Sequence, residues 1–327
     1  MRPSSRDSTS PAPLGIGLIG VGRHGNRYLQ HLLNDLPDLA LAAVCRKSGG
    51  GTYPGTAVPV YDDYRAMIAD PRVQAVVVVT PPSLCHQICL AAVDAGKAIL
   101  IEKPLAPTGS EARAMVDAAG RRGLVLMTAH TLRFDSTIAL LHEQLATIGP
   151  LQSACLVTHI DTKANVASGR ALGALLELGI HLLDLVRFLS GEDIADVQCT
   201  MSPLPPLGPE TQVKARLRTS GGIICNLDIA RVDAQRKGTA EWRGAEGTLQ
   251  ADWVSRTLTR TAVDGTSQTW SLEPKPTVLA TLQAFVSAIR TATPPPVTGL
   301  DGCLAVEAAD ACYRSAAFGG ATVSLRP

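Results

Sequence analysis

The chain has few aromatic residues, no excess of either charge and no long apolar run. Phe, Trp and Tyr make up only 4% of its 327 residues, so the cores must be built from Ala, Val, Leu and Ile. The formal net charge is +1, with 30 Lys and Arg against 29 Asp and Glu. Without a basic stripe or an acidic tail, neither nucleic acid nor an anionic membrane has electrostatic support as a partner. The longest apolar stretches, around Val76 to Val79 and Ile99 to Ile101, fall far short of the roughly 20 residues a membrane helix needs. Met1 to Pro13 is rich in Ser, Pro and Arg and lacks the apolar segment of a secretory signal, so a disordered lead-in to a cytoplasmic protein is expected. The 8 cysteines form no C-x-x-C pair, which fits a reduced compartment. Cys85 and Cys89 stand four apart on an expected helix, but no partner cluster of ligands accompanies them, and no metal is expected.

What is present is a globular composition, 46% hydrophobic and 18% charged, on a chain long enough for two domains. From Gly15 the pattern alternates short apolar runs with helix-length segments. Strands are expected at Gly15 to Ile19, Leu39 to Cys45, Val73 to Val79, Ala98 to Ile101 and Leu124 to Thr128. Helices are expected through Tyr28 to Leu33, Tyr61 to Ile68, Ile88 to Ala95 and Ser110 to Arg121, the last with Ser110 as N-cap. This alternation predicts an α/β fold with a doubly wound parallel sheet over residues 14–131. After Leu132 the character changes. A long helix is expected over Gly173 to Leu189, a strand-rich stretch over Val197 to Leu272, and two final helices flanking Pro294 to Pro296. Residues 132–327 therefore read as a second, α+β domain with a large, mostly antiparallel sheet, whose last helix is free to return to the first domain.

Gly20-Val21-Gly22-Arg23-His24-Gly25 fits G-x-G-x-x-G directly after an expected strand and at the start of an expected helix. Glycine there permits a tight turn and lets backbone N–H groups approach a pyrophosphate, whose charge the helix N-terminus favours. A dinucleotide site is the reading, with His24 contributing its backbone. The second strand ends in Cys45-Arg46-Lys47-Ser48, with no acid to bind a ribose 2′-hydroxyl. Arg46 and Lys47 suit a 2′-phosphate, which favours NADP(H) over NAD(H). Glu102-Lys103-Pro104 follows the strand at Ala98 to Ile101 and so sits at the carboxyl edge where such sheets take ligands. On the long helix, Glu177, His181 and Asp184 stand at i, i+4 and i+7 and are expected on one face, with a leucine stripe beside them. A carboxylate beside an imidazole sets its tautomer and suits a proton shuttle, although a solvated Glu–His pair has the same spacing.

Taken in order, these segments resemble the glucose–fructose oxidoreductase/inositol dehydrogenase (Gfo/Idh/MocA) family. The resemblance runs over GLIGVGRHG, over TPPSLCHQICLAAVDAGKAILIEKPLA from Thr80, over LRFD at Leu132, over LLELGIHLLDLVRFLSG from Leu175 and over AIRTATPPPVTGLDG from Ala288. It implies an N-terminal Rossmann domain and a C-terminal domain whose open sheet mediates a homodimer or homotetramer. It implies that Lys103 lies near the nicotinamide and the reacting carbon, and that His181 is the acid/base. Thr80 and Pro81 would line the dinucleotide cleft, with Glu102 at its nicotinamide end. Three departures stand out. Glu177 replaces the usual Asp, Cys85 with His86 replaces a His, and Ala171-Leu172 replaces glycines before Gly173.

The resulting expectation is an NADP-dependent dehydrogenase or reductase acting on a small polyhydroxylated substrate such as a sugar or cyclitol. Lys103, His181 and Glu177 form the catalytic set. Arg133, Lys163, Asn165 and Arg170 are candidate substrate ligands. Two other readings share the sequence: a hydride-assisted elimination enzyme, and a dinucleotide-binding sensor or scaffold that has lost catalysis.

Overall fold

The computed structural model describes residues 13–48, 50–160, 172–206, 208–231 and 235–325. The expected lead-in lies outside them, apart from Pro13. Strands β1 (Leu14–Ile19), β2 (Leu39–Cys45), β3 (Val60–Tyr61), β4 (Ala75–Val78), β5 (Ala98–Glu102) and β6 (Leu126–Ala129) form one sheet in the order β3-β2-β1-β4-β5-β6. Every neighbouring pair is parallel. This is a doubly wound sheet with its switch point between β1 and β4.

A parallel sheet covered on both faces needs strands that are apolar on both, and all four residues of β4 are buried. Val77 faces a cluster with Tyr28 and Leu29 of α1 (Gly25–Asn34), whereas Val76 and Val78 face one with Ile88 and Cys89 of α3 (Pro82–Asp94) and Met115 of α4 (Gly109–Arg121). Three helix starts differ from expectation. α3 begins six residues before Ile88, because Pro82 is preorganised for the first turn of a helix. Thr108, not Ser110, caps α4, its hydroxyl accepting from the Glu111 N–H at 3.3 Å. Tyr61 ends the edge strand β3, and α2 (Tyr64–Ala69) starts after its cap Asp63.

The second sheet has nine strands: β7 (Leu151–Ile160), β8 (Ile194–Ser202), β9 (Gln212–Thr219), β10 (Ile224–Arg231), β11 (Lys237–Gly244), β12 (Gly247–Asp252), β13 (Thr257–Ala262), β14 (Ser267–Ser271) and β15 (Val323–Ser324). Their order is β14-β13-β12-β11-β7-β10-β9-β8-β15, antiparallel except for the β7–β10 pair. Strand β9 alternates exposed Gln212, Lys214, Arg216 and Arg218 with buried Val213, Ala215, Leu217 and Thr219, the pattern of a sheet with one face on a core.

Helices α5 (Ser136–Gln144), α6 (Ile180–Ser190), α7 (Thr277–Thr291) and α8 (Gly299–Ala317) complete the fold. Although late in the chain, α7 returns to the first sheet. Its Val278, Leu282, Phe285 and Val286 join the cluster around Tyr28, Val77 and Leu100. α8 presses on β6 through Gly302, where a Cβ would lie 2.1 Å from the Thr128 hydroxyl.

Candidate active site

The glycine turn opens at the switch point, and its three glycines do different work. Gly20 has φ +93°, and a Cβ there would stand 2.2 Å from the Val79 carbonyl oxygen. At Gly25 a Cβ would stand 2.0 Å from the Gly20 carbonyl oxygen, so this glycine lets α1 start against the turn. Gly22 is exposed with nothing within 4 Å of a built Cβ. Its bareness serves a close approach from outside, which is how a pyrophosphate meets such a turn. Arg23 and His24 are exposed beside it. At the end of β2, Arg46 is half-buried with its guanidinium 5.8 Å from the centre of the Tyr53 ring, and Lys47 is exposed. The residues present fit a dinucleotide.

His24 does more than lend its backbone. Its Nε2 lies 2.7 Å from Glu102 Oε1, which also accepts from the Tyr28 hydroxyl at 2.5 Å. The other Glu102 oxygen accepts from the Lys103 N–H at 3.1 Å. Burial opposes ionisation of Glu102, but the His24 hydrogen bond, the charges of His24 and Lys103 and the Tyr28 hydroxyl outweigh it and hold the carboxyl below its usual range. This carboxylate thus joins the glycine turn to the end of β5. Between β4 and α3, Thr80 is half-buried and Pro81 exposed at the same edge.

Lys103 points across the cleft and donates from Nζ to the main-chain carbonyl of Glu177 at 2.7 Å. Burial pulls its pKa below the ordinary lysine value; Glu102 opposes that shift and Arg231 adds to it. The expected continuous helix is here corrected. Leu175–Gly179 is a π turn, and α6 follows it from Ile180. In a turn with i→i+5 bonds, residues four apart no longer stack on one face. The Glu177 carboxylate accordingly pairs with Arg231 at the end of β10 and not with His181. Arg231 is buried and also donates to the Leu172 carbonyl. His181 is half-buried, and its Nδ1 has no partner among the described residues. Burial, then the nearby Lys103 charge, holds its pKa well below the usual histidine value.

The third member of the expected face, Asp184, is only 1% exposed and belongs to a different structure. It accepts from Arg133 at 2.6 and 2.8 Å, and Arg133 also reaches Asp301 at 3.2 Å and lies over the Phe188 ring. Arg133 is therefore corrected from substrate ligand to a buried clasp between the turn at Thr131–Phe134, α6 and the start of α8. Lys163, Asn165 and Arg170 lie outside the described residues. Cys85 and Cys89 are buried on α3, and burial pushes their thiols up to about 11 and about 12, so they act as core residues. Among the described residues, no three His, Cys, Asp or Glu side chains converge as metal ligands. Sequence reasoning missed Tyr28, His130 and Arg231. Tyr28 and Arg231 meet their partners across 74 and 54 positions of chain and carry no local signature.

Two family profiles match the chain. One, described as "Oxidoreductase family, NAD-binding Rossmann fold", covers residues 14–130, and the other, "GFO/IDH/MocA C-terminal domain", covers residues 158–269. The chain belongs to the Gfo/Idh/MocA family. It is an NAD(P)-dependent oxidoreductase of the dehydrogenase and reductase type acting on CH–OH groups. It is 31% identical to 1,5-anhydro-D-fructose reductase of Ensifer adhaerens over 78% of this chain and 81% of that one. Its identity to myo-inositol 2-dehydrogenase of Thermotoga maritima is 26%, over 89% and 92% of the two chains. Among solved structures, GenD2 from gentamicin A biosynthesis in complex with NAD superposes with a TM-score of 0.82, 26% identity and 100% of both chains covered. Levoglucosan dehydrogenase in complex with NADH shares the fold at a TM-score of 0.83 and 24% identity, over 96% and 99% of the two chains.

Proposed function

We propose that this enzyme moves hydride between NADP(H) and a secondary alcohol or ketone of a sugar, cyclitol or sugar derivative. The observation that carries the reading is convergence. Lys103, at the carboxyl end of β5, spans to the turn that delivers His181, at the edge where the glycine turn opens. Relatives named as a sugar reductase and an inositol dehydrogenase support the substrate class.

Preference for NADP(H) rests on Arg46 and Lys47 at the end of β2, where an acid would serve NAD instead. Gly20, Gly22 and Gly25 would hold the pyrophosphate against the start of α1, while Thr80, Pro81 and Glu102 would flank the nicotinamide end. The bound dinucleotide supplies the hydride acceptor or donor. With its pKa held low, His181 is neutral at neutral pH and takes the proton of the substrate hydroxyl during oxidation. The Lys103 ammonium polarises the substrate oxygen, stabilising charge that builds there in the transition state. Glu177 acts by position: its carbonyl fixes Lys103 and its carboxylate is fixed by Arg231.

Residues 14–131, with α7 packed against their sheet, form the dinucleotide-binding unit, and the rest of residues 132–327 the substrate and assembly unit of a cytoplasmic homodimer or homotetramer. The polar face of the nine-stranded sheet, with Lys214 and Arg216 exposed, supplies the contact. The test is a panel of sugars, cyclitols and their ketones, followed by nicotinamide absorbance once NADPH binding has been measured. Turnover of a polyhydroxylated member supports the proposal. Tight NADPH binding with no turnover across the panel contradicts it and favours a sensor, and return of cofactor label to the same product molecule favours hydride-assisted elimination.

A further inference from the structure

Behind His181 lies a second buried imidazole that the proposed chemistry does not yet use. His130 follows β6, is 1% exposed, and neither of its ring nitrogens has a hydrogen-bond partner among the described residues. Its Nδ1 is 3.9 Å from Asp184 Oδ2, and its ring stands edge-to-face with that of His181 at 6.0 Å between centroids. His181 Nδ1 is also buried and, among the described residues, unpartnered. A neutral imidazole must carry one N–H and one lone pair. Leaving such groups unsatisfied in a buried place is unfavourable, so each calls for a partner.

We infer that Asp184, His130 and His181 form a hydrogen-bonded series that positions His181 and sets its tautomer. One polarity satisfies all three orphaned nitrogens. Asp184 accepts from His130 Nδ1–H, and its oxygens retain lone pairs for this beyond those taken by Arg133. His130 Nε2, left with its lone pair, accepts from His181 Nδ1–H, directly after a small rotation or through one bridging water. His181 is then left with a bare Nε2, the form that accepts a proton. During oxidation Nε2 takes the substrate hydroxyl proton, the hydride acceptor being the dinucleotide that the glycine turn would hold. The imidazolium keeps its Nδ1 proton, and Asp184 stabilises the charge through His130. No proton has to travel further.

The other groups facing His130 are Arg133, Asp301 and Lys103. The two cations and burial keep it neutral against the pull of the two carboxylates, so it serves as an acceptor and not as a second positive charge. His130 is accordingly a positioning residue: it acts on substrate only through His181.

This inference rests on His181 being the proton acceptor proposed above, but its first test needs no turnover. Nitrogen NMR of histidine-labelled enzyme at neutral pH reads the tautomer directly. Protons on Nδ1 of both His181 and His130 are expected, and a proton on Nε2 of neutral His181 overturns the series. The second test is His130→Phe, which keeps a buried ring and removes both nitrogens. Turnover is expected to fall about 10- to 100-fold, the usual scale for loss of such a supporting partner. KM and NADPH affinity should stay within about twofold, and the pH limb of kcat/KM for oxidation should move to lower pH as the imidazolium loses support. Wild-type turnover with an unmoved limb overturns the inference. An inactive His181→Asn with the expected wild-type tautomers supports both readings. A fully active His181→Asn removes the acceptor role and, with it, the purpose of the series.

Discussion

Gly22 and Gly25 stand three residues apart in one motif, and Ala at each should fail in opposite ways. At Gly25 the new Cβ would lie 2.0 Å from a main-chain carbonyl oxygen, a distance that real Cβ contacts do not reach. Main chain cannot swing aside as a side chain does, so α1 or the turn must shift. Overpacking of this kind costs about 1–3 kcal/mol or more, and Gly25→Ala should lower the urea midpoint by a corresponding amount. At Gly22 the Cβ meets nothing within 4 Å, so stability should stay within about 0.5 kcal/mol of wild type. That methyl group instead occupies the space through which the pyrophosphate is proposed to approach the turn. NADPH affinity of Gly22→Ala should therefore fall at least tenfold, or about 1.4 kcal/mol, in a nicotinamide fluorescence titration. Unchanged affinity in a stable Gly22→Ala protein would show that no dinucleotide lies over this turn.

Other changes probe separate parts of the account. Arg46→Asp places an acid where a 2′-phosphate is proposed to sit. It should weaken NADPH about 10- to 100-fold while leaving NADH unchanged or improved, and an unaltered NADPH to NADH preference would refute the assignment. Arg133→Met strands Asp184 in the interior and should cost about 3–5 kcal/mol in urea unfolding; a loss under about 1 kcal/mol would mean the clasp is not structural. His130 and His181 both have folded pKa values held below the ordinary one by burial, so the unfolded chain takes up protons first as pH falls. Stability should then decline on acidification below about pH 6.5, by at most about 1.4 kcal/mol per pH unit for each histidine. Urea midpoints measured between about pH 7 and about pH 5 in wild type and His130→Phe check this, the variant showing the shallower decline.

The first sheet was legible because its signals are local. A Val-rich run marks a strand covered on both faces, and Gly20 and Gly25 after Ile19 mark a turn where a Cβ would strike main chain. Element starts were less legible where two capping residues compete, as Thr108 and Ser110 do before α4. The site was legible in its members and not in their pairing. Glu177, His181 and Asp184 keep helical spacing in sequence, but nothing in a leucine-rich helix announces a π turn, and that turn parts Glu177 from His181. Its true partner, Arg231, arrives from the far end of β10, and the partner of Asp184 is Arg133 on the turn after β6. Pairings of this kind depend on how two sheets and their helices meet, which no periodicity records.

Lys103→Met tests the central claim most directly, because it removes the ammonium while keeping the length and packing of the side chain. On whichever polyhydroxylated substrate the wild type turns over, kcat should fall about 100- to 1,000-fold, the scale of losing one transition-state donor. NADPH affinity, measured on the same protein, should stay within about threefold. Wild-type turnover in Lys103→Met would contradict the placement of the chemistry between β5 and the turn before α6.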